Sequence, residues 1–363
     1  MGNLESLVIY IFVYAFSTML FSFYKNKNTA LRYLCVFLAV LIPAVFAGAR
    51  YHVGTDYKVY DWNFTYIRSI PLKSVILNDT ALQSTEYGFL VLTKLLTYLG
   101  SNKVVFGFLA FIMSGLVAVS LVKEYRGSYI SAGYFMYLMI YFTTSFNIVR
   151  QGLALAIVFW GYKYIFKHQF GKYVLVICIA ALFHYSTFIA LPAYFFWNHK
   201  RNRAMDRSKF SVVLIVASFL VIFWRRLYML AVDLGFPWIG KYVDYLKNNH
   251  ARNRDFFIKA LLGAVVIILY TRLNKKNEKI KALIQMYMIN ILIAFTGFYI
   301  TFVKRLGLYY EIPAIVLVST IPKWFERKSQ YMAYMLCILA VVIYFTLAFY
   351  ITGDADIIPY RVH

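Results

Sequence analysis

Long apolar runs recur along the chain, each bounded by short basic clusters, and this alternation decides what it can fold into. The runs fall at about 4–23, 33–48, 104–122, 129–147, 152–166, 173–197, 210–230, 257–271, 283–303, 306–322 and 331–350. A bilayer core of about 30 Å takes roughly 20 helical residues to cross. Inside it each backbone N–H and C=O must be satisfied within the segment itself, which selects helices. The 363 residues are 62% hydrophobic and only 15% charged, far from the roughly half apolar and one-quarter charged residues of a soluble domain. The sequence therefore predicts an all-α, polytopic integral membrane protein.

Charge then sets the orientation. A formal net charge of +23 would suit nucleic acid if it were gathered on one face. Here it is dispersed as Lys25/Lys27/Arg32, Lys123/Arg126, Lys163/Lys167/Lys172, Lys200–Lys209, Arg272–Lys281 and Lys323/Arg327/Lys328. The positive-inside rule accounts for that pattern with no nucleic-acid partner. All six clusters are cytoplasmic together if residues 88–100 do not span and 173–197 turns back at Phe183-His184-Tyr185-Ser186. Lys94, in the middle of 88–100, favours the first condition.

The expectation is about 12 transmembrane segments forming a single domain over residues 1–363, with both termini outside and no separate soluble domain. The outer side then carries a main loop, 49–87, leading into a partly membrane-embedded segment, 88–100, and a second loop, 231–256. Met1–Tyr24 lacks a basic start and a cleavage site and is read as a retained first span. Cys35, Cys178 and Cys337 show neither metal nor disulfide spacing and are read as small core residues.

Polar residues that interrupt this scheme are the candidates for function. In Arg50–Tyr60, Thr55 or Asp56 caps a short helix running to about Ile70, with Tyr57, Tyr60 and Phe64 on one face. Such a cluster handles a polar ligand, or else it is an interfacial helix with an aromatic belt and an Arg50–Asp56 ion pair. Asn147, Arg150 and Gln151 lie at i, i+3 and i+4 and project together if helical. An arginine at the mouth of two spans is either functional or snorkels to the interface. His184 is either a hydrogen-bonded structural residue or a proton acceptor near neutral pH. Arg305 and Tyr309 are i, i+4, with Glu311 beyond them; its structural reading is an ion pair with Lys304 or Arg305. Asp354-Ala-Asp356 has the form used by nucleotide-sugar enzymes, but no α/β domain accompanies it.

The block Arg50-Tyr-His-Val-Gly-Thr-Asp-Tyr-Lys-Val-Tyr60 resembles the signature of the EpsG branch of the Wzy-type polysaccharide polymerases. Glu86-Tyr-Gly-Phe, Asn147-x-x-Arg150-Gln151 before Leu-Ala-Leu-Ala, Phe183-His184-Tyr-Ser186 before Leu191-Pro192, and Arg305 with Tyr309 fit in the same order. The resemblance covers nearly the whole chain. It implies a GT-C-like helical bundle in the bacterial cytoplasmic (inner) membrane, with its active site facing outward. It also implies a glycosyltransferase that joins oligosaccharide repeat units carried on undecaprenyl pyrophosphate, using no metal or other cofactor. The product is O-antigen, capsule or exopolysaccharide. Besides the lipid-linked substrate and membrane lipid, the implied partners are a chain-length regulator and a flippase of the same pathway.

For that chemistry Arg50, Arg150 and Arg305 are the candidates to hold the diphosphate, since guanidinium groups bind it bidentately. Asp56 is the first choice for the base that takes the acceptor proton, and His184 the second. Tyr51, Tyr57, Tyr60, Glu86, Asn147, Gln151 and Tyr309 are candidates for sugar binding and positioning. A flippase for lipid-linked sugars is a rival reading, set back because the ionisable residues gather toward one face. A membrane O-acyltransferase is another, set back because His184 and Asn147 fall on the side away from a cytoplasmic acyl donor.

Overall fold

The computed structural model describes residues 2–82, 85–125, 127, 129–233, 254–273, 277–296 and 305–362. Along the chain come α1 (Asn3–Phe21), α2 (Thr29–Ala49), α3 (Tyr57–Ser69), α4 (Leu72–Ile76), α5 (Tyr87–Thr97) and α6 (Asn102–Glu124). Next are α7 (Ile130–Met136, continued by a π-helical stretch, Tyr137–Phe142), α8 (Val149–Gly161), α9 (Lys163–Phe166), α10 (Phe170–Ala181) and α11 (Arg207–Asp233). Helices Arg254–Leu273, Glu278–Thr296, Leu308–Glu311, Ala314–Thr320 and Gln330–Phe345 complete the set. A small hairpin pairs Trp197–Asn198 with Arg203–Ala204.

Among the described residues four helices are long and apolar enough to cross a bilayer: Asn3–Lys25, Thr29–Ala49, Asn102–Glu124 and Gln330–Ile351. Other apolar helices are shorter, among them Tyr87–Thr97, Ile130–Phe142, Phe170–Ala181 and Tyr185–Phe196. The structure is thus an all-α membrane protein, while helix length alone does not reach the expected count of about 12 spans. The stretch 173–197, expected to turn back at Phe183–Ser186, is interrupted there. α10 ends at Ala181 and a 3₁₀ stretch begins at Tyr185.

The chain forms two compact units. The first comprises Met1–Lys163, Gly171–Phe188 and Val318–His363, the second Tyr164–Phe170 and Ile189–Leu317. In the first, α2 packs along α6. Gly48 sits at the crossing, where a Cβ would stand 2.7 Å from the Lys103 carbonyl oxygen. Small residues let helices close together where lipid supplies no hydrophobic drive.

α3 has the expected span and face, with Ile70 as C-cap and Tyr57, Tyr60 and Phe64 buried, but Asp56, at the N-cap position, makes no side-chain capping hydrogen bond. Its last carbonyls are met by Lys94 of α5, whose ammonium donates to Ile67, Arg68 and Ile70 at 3.1, 3.2 and 2.6 Å. A helix C-terminus leaves orphan carbonyls and a negative dipole end, and a buried lysine satisfies both. This is why 88–100 carries a cation at its middle.

Residues past 353 form a tail that packs back on this unit. Arg50 bridges Val362 in antiparallel fashion, and Tyr51 N–H donates to the Arg361 carbonyl at 2.8 Å. Tyr360 stacks on Phe46 with centroids 4.1 Å apart. Its backbone N–H donates to Ser6 Oγ at 2.9 Å. The start of α1, the end of α2 and the tail therefore share one end of this unit with the Arg50–Tyr60 loop.

In the second unit the helix Glu278–Thr296 packs against α11, Arg254–Leu273 and Leu308–Glu311. Glu311 does not take the partner expected from sequence. It pairs with Lys259, Nζ to Oε2 2.7 Å, and both side chains are buried. A carboxylate inside a membrane helix needs a counter-ion at its own depth. Lys259 supplies it from a neighbouring helix, whereas Arg305 is exposed and Lys304 lies outside the described residues. Most of the 231–256 loop lies outside them too. Cys178, expected in the core, is exposed, while Cys35 is buried; Cys178 lies on the outward face of α10.

The two ends of α1 and α2 make a topological prediction. In a protein freed of its natural cysteines, Asn3→Cys and Thr55→Cys should react with an impermeant maleimide from one side of the membrane, and Lys27→Cys from the other. Labelling of all three from the same side contradicts the arrangement.

Candidate functional site

The site is built on the carboxylate of Glu86, the N-cap residue of α5. Gly88 makes its position attainable. A Cβ there would stand 2.6 Å from Leu182 Cβ and 2.8 Å from the Leu182 carbonyl oxygen. Without one, α5 docks directly onto the end of α10, and Phe89 N–H donates to that carbonyl at 3.2 Å. The contact sets Glu86 beside His184, which follows α10, and beside Arg150, in the first turn of α8.

One carboxylate oxygen accepts from Arg150 in a short charged contact. The other accepts from His184 Nδ1 at 2.8 Å and lies 3.4 Å from the Tyr185 backbone nitrogen, which also donates to it. The Glu86 side chain is 5% exposed, against 30% for Arg150 and 23% for His184. The anion is therefore enclosed while both of its partners reach the surface. Arg150 is also hydrogen-bonded to the buried Tyr60 hydroxyl. Burial opposes ionisation of the Glu86 carboxyl, but the His184 hydrogen bond and the Arg150 charge outweigh it and hold it below its ordinary value.

An ionised carboxylate can only accept, so His184 presents Nδ1–H to Glu86 and leaves Nε2 as the other ring position. Among the described residues Nε2 makes no hydrogen bond. A carboxylate that fixes the tautomer and orientation of an imidazole prepares the remaining nitrogen to accept a proton. The arrangement thus offers a guanidinium for anionic oxygen and an oriented base side by side.

The Arg50–Tyr60 loop is organised differently from the sequence expectation. Arg50 is 2% exposed. Its guanidinium lies 4.1 Å from the Phe146 ring centroid and 4.6 Å from that of Phe106, and donates to the Phe146 carbonyl at 3.3 Å. It forms no ion pair with Asp56. Arg50 turns inward from the end of α2, whereas Asp56 lies beyond the turn at Gly54, whose φ is +101°, at the start of α3. A Cβ at Gly54 would also collide with Asn147 Oδ1.

Asn147 is likewise not on the helical face with Arg150, because α8 begins only at Val149. Its amide instead braces the loop. Oδ1 accepts from Asp56 N–H at 3.5 Å, and Nδ2 donates to the Ala355 carbonyl at 2.7 Å. The tail completes the brace, with Gly54 N–H donating to the Asp356 carbonyl at 2.8 Å.

Of the sequence candidates, Glu86, Arg150, His184 and Tyr60 come together. Arg50, Asn147 and Tyr57 form the buried support of the loop, with Tyr57 stacked on Phe106 at 5.1 Å. Tyr51 is exposed and Gln151 buried. Arg305 and Tyr309 belong to the second unit, the first exposed and the second fully buried. Sequence reasoning gave the tail no structural part in the loop and gave Glu86 only a positioning role. A carboxylate followed two residues later by glycine, at a helix start, was the available signal.

The Glu86 pair has a defined pH signature. A carboxyl held below its ordinary value of 4.5 stabilises the fold fully above that pH, and the contribution is lost as pH falls through the lower folded value. Glu86→Gln should therefore cost about 1–3 kcal/mol at neutral pH. Unfolding in detergent should show the gap to the native protein closing in acid. A gap independent of pH contradicts the assignment.

A family model described as the EpsG family matches residues 32–362. No curated protein and no solved structure gives a match. The chain belongs to the EpsG family, the family of Wzy-type polysaccharide polymerases.

Proposed function

We propose that the chain joins oligosaccharide repeat units carried on undecaprenyl pyrophosphate at the outer face of the bacterial inner membrane, as an O-antigen-type polymerase. The observation that carries this reading is the Arg150–Glu86–His184 cluster, which holds a guanidinium and an oriented imidazole on one enclosed carboxylate. The acceptor sugar hydroxyl attacks the anomeric carbon of the growing chain. The bond from that carbon to the diphosphate oxygen breaks, and its electron pair leaves with the lipid diphosphate. Arg150 donates to the charge as it grows. The hydroxyl proton passes to His184 Nε2.

What favours His184 over Asp56 is the Glu86 contact, which orients the imidazole. What favours a supporting role for Arg50 is its enclosure by rings. Tyr60 positions Arg150 in this reading. Tyr51 and Arg305, both exposed, retain the substrate roles read from sequence, while the buried Gln151 and Tyr309 would act as supports behind them. Both units are read as parts of one membrane domain, the shorter apolar helices completing about 12 segments. A flippase would supply the substrate and a chain-length regulator would act on the product.

Gel analysis of surface polysaccharide tests the proposal in a strain lacking the native gene. His184→Ala, present at normal levels, should slow polymer formation by about 10²-fold or more. Arg150→Ala should leave single-unit molecules without a ladder. Full ladders from either variant contradict the roles. Loss of the single-unit molecules themselves in the deletion strain would point to a flippase instead.

A further inference from the structure

A groove runs along the first unit between α2 and α6, with a volume of about 510 Å³. Phe37, Leu41, Ala44 and Gly48 line it from α2, and Lys103 and Phe108 from α6. On α2 the lining runs from Phe37 to Ala49, about 18 Å at 1.5 Å per residue. That is close to half of a roughly 30 Å hydrocarbon core. The Gly48 end lies at the Arg50–Tyr60 loop, so the groove reaches from that boundary to about the middle of the bilayer. Phe37, Val45 and Phe108 are exposed, so its wall opens toward lipid.

The groove is apolar except at one end, where Lys103 stands. Lys103 is exposed, is the second residue of α6, and makes no ion pair among the described residues. A cation at a helix N-terminus meets the positive end of the helix dipole, an unfavourable placement that an anion reverses. The positive-inside rule gives no reason for a lysine on the loop side of the membrane. An apolar channel ending at an uncompensated cation fits an amphiphile with an anionic head.

We propose that this groove seats the head-proximal isoprenoid chain of a polyprenyl diphosphate, with Lys103 as the first cation its diphosphate meets on the way to the Arg50–Tyr60 loop. The inference rests on the proposed polymerase function and names where the lipid carrier docks. Three features favour a single polyprenyl chain over a phospholipid. The floor is closed at Gly48, where a Cβ would stand 3.1 Å from Gly107 Cα, so no cleft opens between α2 and α6 there. Phe37 and Phe111 stand edge to face with centroids 5.9 Å apart, offering ring surfaces to methyl branches. The lining also ends at Ala49, one residue before Arg50, so a chain lying in it delivers its head group to the loop. A phospholipid would have to fit two chains beneath one head.

Photocrosslinking tests this without requiring turnover. The full protein is reconstituted in vesicles of phosphatidylethanolamine and phosphatidylglycerol, with p-benzoylphenylalanine replacing either Phe108 in the groove or Phe12 on the exposed face of α1. The probe is tritiated undecaprenyl diphosphate. Label should concentrate at position 108 several-fold over position 12 and be displaced by unlabelled undecaprenyl diphosphate. Lys103→Glu should lower it about fivefold, the scale of one exposed charge contact; if that protein does not accumulate, Lys103→Gln takes its place and should lower it less. Equal labelling at both positions, or equal displacement by extra phosphatidylglycerol, overturns the proposal. The two readings fail separately. A polymer ladder without preferential label at 108 removes the groove alone, whereas preferential label without any ladder removes the polymerase.

Discussion

A carboxylate buried in a membrane protein must be compensated or it costs several kcal/mol, and Glu86 meets that demand twice over. Arg150 takes one oxygen, and His184 with the Tyr185 amide takes the other. Three separate stretches of chain are thereby tied together: the start of α5, the first turn of α8 and the end of α10. The tie also works against helix electrostatics at Arg150, where a cation occupies the positive end of α8, and Glu86 offsets that penalty. The geometry depends on backbone contact, since Gly88 alone lets α5 reach Leu182.

A second layer of support lies behind this cluster. Lys94 closes the end of α3, and α3 carries Tyr60 to Arg150. Arg50 fills the interior with its guanidinium among Phe106, Phe146 and Tyr57. The tail lies over the loop and joins it to Asn147. The conspicuous Arg50–Tyr60 block is therefore mostly framework, and the Arg150–Glu86–His184 cluster comes from stretches that sequence order places far away. A site built this way keeps its half-buried members, Arg150 and His184, on packed backing, the preorganisation that the proposed transfer would draw on.

Membrane insertion, helicity, the α3 helix with its buried Tyr57, Tyr60 and Phe64, and the break near His184 were legible in the sequence. Each follows from a local rule of hydropathy, capping or helical spacing. The partners of charged groups were not legible. Arg50 faced rings instead of Asp56, and Glu311 met Lys259 instead of Lys304 or Arg305, because ion pairing in a bundle depends on which helices become neighbours. Asn147 left the expected face because α8 starts two residues later than the spacing implied. The hold of the tail on the loop was invisible because it runs through the tail's backbone carbonyls, which leave no residue signature. Helix length similarly hid the number of spans, since π and 3₁₀ stretches interrupt the apolar runs.

The central claim is that Glu86 acts through His184, and a double-mutant cycle on the rate of polymer formation tests it most directly. Glu86→Gln, His184→Asn and the double variant would be compared at equal protein levels in reconstituted vesicles supplied with lipid-linked repeat units. If the carboxylate works by orienting the imidazole, the double variant should be no slower than His184→Asn alone, a coupling of about 0.5–3 kcal/mol. Rate losses that simply multiply would show two independent residues and contradict the claim.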